Sequence, residues 1–423
     1  VKWNKLSVIV LGLVLSSSAF AANTQQELYN LQAQISQLNK QLASIPTNIA
    51  TASTSHVMTD SLIPLGAMSK VHFPYALLKA KNKLNAPLVM GGQLEADAQN
   101  WNGSYTFNTD SPNQRGRALG FTKLYLFSVA NLNPWATTVV TIKNSLPNNT
   151  VTLDRAYVSF GNLAQNPWYL TVGNAFLPFG SFSGNGPLDN SLPTNSFRVN
   201  PTNQVMLGHN ANGFDTDVGF YSGNFTNNAM HNYLANVSWT GALNTNSTLN
   251  VAAGYINEVR GTSSGVGTAY INTCGSSTYG VCSANTLTGS QTGAYDLNAT
   301  YTLNQLSFLG ELVATTANAT INSQVVGKPS VWMLGTVYKH QILNKPTQFQ
   351  LSYSQTRNMQ TIQLPTAANY MQNLKITGIK SEWLASITPE VFNNLYIGPE
   401  FDYNHLYTGN NTWTLTVDAT GYF

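Results

Sequence analysis

From residue 88 to 423 the chain is written in short segments whose apolar and polar residues alternate with a period of two, separated by clusters of Gly, Asn, Pro and Ser. Phe349, Leu351 and Tyr353 alternate with Gln348, Gln350, Ser352 and Ser354. Leu297, Ala299, Tyr301 and Leu303 alternate with Asp296, Asn298, Thr300 and Thr302, and Leu88, Met90, Leu94, Ala96 and Ala98 with Gln93, Glu95, Asp97 and Gln99. Such a period is a strand with two unlike faces. The polar face identifies the surroundings. In a soluble sandwich it would meet bulk water and carry many Lys and Glu, yet only 9% of the chain is charged, against roughly 25% in a soluble domain. Thr, Asn, Ser and Gln fill the polar positions instead. Inverting the faces resolves this: the apolar one meets lipid and the polar one lines a wet lumen, as in a closed transmembrane β-barrel, where strands pair every backbone polar group.

Other classes are excluded. After the first 20 residues no stretch is apolar enough for a spanning helix of ~20 residues. With 11% aromatics the chain has too much burial potential for disorder. A net charge of +3 with dispersed Lys and Arg selects no nucleic-acid partner. Lys2 and Lys5, the apolar run Leu6 to Leu15 and Ala19-Phe20-Ala21 have the pattern of a secretory signal peptide over 1–21. Leu28, Leu31, Ile35, Leu38, Leu42 and Ile45 then follow a 3, 4, 3, 4, 3 spacing that Pro46 stops, an a/d seam over 22–46. Three heptads are marginal alone in water. The seam is therefore either a periplasmic coiled coil that makes a homo-oligomer, expected as a trimer, or a helix packed on its own barrel. Residues 47–87 are a linker or small plug, and 88–423 the barrel.

Strands are expected near 88–99, 119–129, 136–145, 151–160, 168–177, 202–209, 212–222, 230–240, 247–258, 293–303, 306–317, 329–340, 346–357, 372–384, 395–405 and 411–423. The expected fold is thus all-β, a 16-stranded antiparallel barrel behind a short helix. An even number puts both barrel ends in the periplasm. Short connections around 130–135, 161–167, 210–211, 241–246, 304–305, 341–345 and 385–394 then fall on the periplasmic side. Longer ones around 100–118, 178–201, 259–292 and 358–371 fall outside. Asn133-Pro134-Trp135 and Asn166-Pro167-Trp168 repeat one tripeptide at consecutive periplasmic turns, each placing Trp at headgroup depth. The chain ends in an alternating strand closed by Phe423, like the C-terminal signal of outer-membrane barrels, with Gly421 where an aromatic is usual.

Catalytic chemistry is not expected. Gly261-Thr262-Ser263-Ser264-Gly265 fits a nucleophile-elbow pattern but lacks a strand-to-helix context. The six histidines show no ligand spacing, and no metal or cofactor is expected. Cys274 and Cys282 share the longest outer loop and either close it as a disulfide or remain idle thiols. The few strand charges cannot face lipid without a cost of ~2–4 kcal/mol for a midplane cation. Glu95, Asp97, Arg155, Asp296, Glu311, Lys339, Arg357, Lys380, Glu382, Glu400 and Asp402 are therefore candidate lumen residues that solutes would meet, or wall residues paired with one another, as are Lys123, Lys143 and Lys375. The segment 178–201, with Asp189 and Arg198, has the length to fold into the lumen as a constriction.

The signal peptide, the Gln-rich seam, Asp154-Arg155-Ala156-Tyr157-Val158 and Thr171-Val172-Gly173-Asn174-Ala175-Phe176-Leu177-Pro178-Phe179-Gly180 together resemble the LbtU family of siderophore porins. The resemblance implies a Gram-negative outer-membrane barrel, set among lipid and lipopolysaccharide, that passes ferric siderophore without the plug of energy-coupled receptors. Size agrees, since a plugged 22-stranded barrel needs roughly 440 residues of wall alone. The alternatives are a general or sugar/phosphate porin, and a barrel-anchored structural or adhesin protein. A lumen of mainly neutral polar groups would suit a bulky polar solute.

Overall fold

The computed structural model describes residues 88–106, 112–145, 150–182, 191–223, 230–260, 262–272, 291–321, 324–365 and 375–423. The expected signal peptide, coiled-coil seam, linker, Asp189 and both cysteines lie outside them. In chain order the first strands are β1 (Leu88–Thr106), β2 (Pro112–Asn133), β3 (Ala136–Ser145), β4 (Thr150–Gly161), β5 (Trp168–Ala175), β6 (Thr202–Ala211), β7 (Phe214–Tyr221), β8 (Asn232–Asn244), β9 (Ser247–Ile256) and β10 (Ala294–Leu303). Then come β11 (Leu306–Thr315), β12 (Ala319–Ile321), β13 (Gln324–Gly327), β14 (Ser330–Ile342), β15 (Lys345–Arg357), β16 (Gln363–Pro365), β17 (Lys375–Thr377), β18 (Ile379–Phe392), β19 (Leu395–Leu406) and β20 (Asn411–Tyr422). Among the described residues, the helices α1 (Leu192–Phe197) and α2 (Gly265–Asn272) interrupt two of the long connections.

Sixteen of these strands form a closed antiparallel barrel. Neighbours in sequence pair around the wall, β11 with β14 and β15 with β18 across the small β12–β13 and β16–β17 hairpins, and β20 closes on β1. Closure leaves no wall edge unpaired, as a barrel in hydrocarbon requires. The connections at the end where β1 begins and β20 stops have two to six residues, and all the longer ones, such as 176–201 and 257–293, lie at the other.

The faces are inverted as expected. On β10 Leu297 is 49% exposed while its neighbour Asp296 is 1% exposed. Leu153, Leu207, Leu334, Leu351, Phe401 and Val417 likewise point out. On β20 Thr412, Thr414, Thr416, Asp418 and Thr420 all point in. At the short-turn end the two repeated tripeptides fold alike: Trp135 N–H donates to Asn133 Oδ1 at 2.7 Å, and Trp168 N–H to Asn166 Oδ1 at 2.9 Å. An Asn side chain that bonds the backbone two residues on makes this turn, and both Trp rings emerge half-exposed on the outside.

Two boundaries differ from the residue pattern. β18 runs Ile379–Phe392, where alternation placed a strand at 372–384 and a loop at 385–394. Pro389, which reads as a breaker, sits in the ladder opposite Thr347 near the short-turn end. Asn394, at positive φ, makes the turn instead, with Glu390 Oε1 accepting its N–H. The expected loop 100–118 is mostly strand, because β1 and β2 stay paired as far as Thr106 and Pro112. Thr106 also pairs with Lys375 of β17 at the rim.

Candidate functional site

The lumen has an acidic wall, a basic wall and residues of the β5–β6 connection bonded to the wall. The acidic stripe runs over β18, β19, β20 and β1. Glu382, Glu400, Asp402, Asp418, Asp97 and Glu95 are all buried on the inward face. Asn404 Nδ2 donates to Asp402 at 2.8 Å, and the Thr420 hydroxyl to Asp418 at 2.8 Å. Lys123 Nζ lies 2.9 Å from Glu95 Oε1, which also accepts the Thr122 hydroxyl at 2.9 Å. On β7, Asp215 and Asp217 both accept from the Tyr169 hydroxyl, at 3.0 and 2.8 Å. Asp296 and Glu311 face inward on β10 and β11.

The basic wall begins with a local irregularity. The ladder between β3 and β4 shifts register between Thr141 and Ile142, so that Asp154 and Arg155, consecutive residues, are both buried. A bulge of this kind re-aims a side chain, and here it spares the wall from turning a charge toward lipid. Asp154 then accepts from Arg155 Nε at 3.0 Å and from Lys143 Nζ at 2.8 Å. The Phe176 ring has two guanidinium groups near it, that of Arg155 at 5.4 Å and that of Arg198 at 5.8 Å.

After β5, residues 176–182 and 191–200 lie inside the barrel and bond to its wall at two places. Glu311 Oε1 on β11 accepts the backbone N–H groups of Ser181 and Phe182, both at 2.9 Å. Glu382 Oε2 on β18, nearly opposite β5 in the circuit, accepts the N–H of Leu192 at 3.0 Å. Around them lies an apolar cluster inside the long-loop end. Leu177, Phe179, Phe182, Leu192 and Phe197 from the β5–β6 connection pack with Val259 and Val266 from the α2 connection, and with the inward wall residues Trp101, Leu234, Ile256, Val313 and Val331.

Of the residues that composition singled out, the lumen brings together Glu95, Asp97, Glu382, Glu400 and Asp402 on one stripe, and Asp296 with Glu311 on another. Arg155 and Arg198 meet at Phe176. Lys339 is exposed near the short-turn end, Arg357 is exposed at the long-loop rim, and Lys380 is exposed at a register shift between Ile379 and Ser381. Asp418, Asp215, Asp217 and Asp154 join the lumen without having been singled out, although the Thr-x-Thr-x-Thr-x-Asp-x-Thr run ending β20 carries Asp418 on its polar face. The wall acids are also less paired with bases than the sequence alternative supposed: Glu311, Glu382, Asp402 and Asp418 take donors from backbone, amide and hydroxyl groups. Within the elbow-like pattern, Ser263 Oγ accepts the N–H of Asn200 at 2.8 Å and Ser264 Oγ that of Gly267 at 2.9 Å. Both serines therefore tie down the loop and the first turn of α2.

The barrel is similar to OprB of Pseudomonas putida, in its high-pH structure, with a TM-score of 0.53 at 12% identity over 82% of this chain and 96% of that one. OmpF of Salmonella typhi, solved with daunomycin, aligns with a TM-score of 0.49 at 11% identity over 79% of this chain and 97% of that one. Likeness to OprB at this identity is a likeness of fold. No curated protein matches the chain. Residues 43–283 match the family described as DUF3573, protein of unknown function. That match covers more than half of the chain, which thus belongs to the DUF3573 family.

Proposed function

We propose that this chain is a porin of a Gram-negative outer membrane, passing a polar solute through the barrel. The observation that carries the reading is the pairing of a lipid-suited outer wall with a charged inner wall, to which Phe182 and Leu192 of the β5–β6 connection are bonded inside the lumen. Rings and stripes of charge in a pore decide which solutes enter. Because buried acids far outnumber the buried bases Arg155 and Arg260, the lumen favours neutral or cationic solutes over anionic ones. This differs from the neutral lumen that composition suggests.

The finer reading, a ferric siderophore, rests on the LbtU resemblance, and the acidic stripe restricts it to chelates without net negative charge. Residues 22–46 would join copies of the chain, and 47–87 would lead from that helix to the wall. A second reading, a barrel that anchors outer loops, is favoured by the apolar cluster inside the mouth.

Planar-bilayer recording separates them. A porin gives discrete conductance steps, a reversal potential of cation-selective sign in a salt gradient, and block by an accepted ferric chelate. Steps without block would retire the siderophore reading in favour of a general porin. Negligible conductance would sink both and leave the anchor.

A further inference from the structure

We propose that Glu95, Asp97 and Asp418 hold a calcium ion across the seam where β1 closes on β20. Asp97 and Asp418 are direct cross-strand partners on the inward face, and Glu95 stands two residues along β1, opposite Thr420. Like charges directly opposite on paired strands repel. One oxygen from each of the three carboxylates lies within 4.8 Å of the other two. Two ligands on one calcium, at roughly 2.3–2.6 Å each, can be about that far apart.

The three groups are not equally satisfied. Glu95 takes the Thr122 hydroxyl, Lys123 Nζ and, at 3.5 Å, Gln93 Nε2. Asp418 takes the Thr420 hydroxyl on both oxygens, at 2.8 and 3.1 Å. Asp97 is 0% exposed, and neither of its carboxylate oxygens has a hydrogen-bond partner among the described residues. It points into the cluster toward the Asp418 carboxyl, which can donate to it only when protonated. Lys123 is the base in contact with the cluster, and it is bound to Glu95. A buried carboxylate without a donor is expensive unless a cation or a proton compensates it. Oxygen-only donors select a hard ion over a transition metal, and calcium accepts an irregular set of carboxylates more readily than magnesium does. An ion here would bind the first barrel strand to the last, and its presence does not depend on which solute the pore passes.

The test uses the full-length protein in detergent, stripped with EDTA and dialysed, with Asp97→Asn and Asp418→Asn prepared identically. Calcium is titrated against terbium luminescence, and the temperature at which the folded band is lost in SDS gels is read with and without calcium. The expected result is one saturable site per chain, a transition raised by several degrees on adding calcium, and binding weakened at least about tenfold in either variant. The stripped variants should keep the folded band to at least the temperature of stripped native protein, because a like-charge contact is gone. If one variant does not assemble, the other is read. Native protein indifferent to both EDTA and calcium would overturn the proposal and leave a proton shared between Asp97 and Asp418. Variants that respond as the native protein does would also overturn it, by moving the ion elsewhere.

Discussion

Phe423 lies across Gly92. The two residues exchange backbone hydrogen bonds, Gly92 N–H to the Phe423 carbonyl at 2.7 Å and Phe423 N–H to the Gly92 carbonyl at 3.1 Å, and the aromatic ring fills the space that a side chain at residue 92 would need. This contact extends the β1–β20 seam by one further pair. Gly92→Val should therefore lower the temperature at which the barrel loses its compact gel mobility, and Phe423→Ala should relieve part of that loss in the double variant. Additive effects would mean that the ring does not rest on the glycine.

Glu311 and Glu382 hold the β5–β6 connection at two points. Replacing either with Ala removes the acceptors of N–H groups inside the barrel, worth about 0.5–1.5 kcal/mol per hydrogen bond. The double variant should show larger and noisier single-channel conductance at an unchanged level of assembled barrel. Identical conductance traces would refute the tether.

Tyr169 donates one hydroxyl to two carboxylates, Asp215 and Asp217. Its ring also covers Gly208, where a β-carbon would collide with it. Tyr169→Phe keeps the ring and deletes the donor, so urea unfolding should report a loss of about 1.5–3 kcal/mol. Gly208→Ala should be destabilising by a separate route, through displacement of the ring, and Asp215→Asn with Asp217→Asn should recover part of the Tyr169→Phe loss.

The inversion of the two faces is itself testable on one strand. Leu297→Arg places a cation against lipid and should cost ~2–4 kcal/mol. Thr300→Lys, on the inward face of the same strand, should assemble normally and shift ion selectivity toward anions. Equal tolerance of both would contradict the assigned faces.

Much of the wall is legible in the residues because hydrocarbon imposes a strict rule: each strand must show apolar groups outward, and Asn-Pro-Trp must turn at the interface. The rule fails where the backbone changes phase. Lys380 reads as lumen-facing by parity but stands exposed at a register shift, and Asp154 and Arg155 share a face through another. Pro389 suggests a loop, yet it sits near the end of a ladder. The tethers are harder still. Alternation can place Glu311 and Glu382 on the polar face, but what they receive is backbone from a segment remote in the chain, and a backbone N–H leaves no mark in a sequence. Tyr169 joining Asp215 and Asp217 is a similar long-range event.

The molecule has two apolar regions that obey different solvents. The outer one faces hydrocarbon, where aliphatic side chains gain little by leaving one oily neighbour for another. The inner one, Phe179, Phe182, Phe197 and their partners, is gathered out of water and is held by the same force as the interior of a soluble protein. That force weakens on cooling. Low temperature should therefore loosen the mouth while leaving the wall intact, which makes the residues gathered there the thermally responsive part of the barrel.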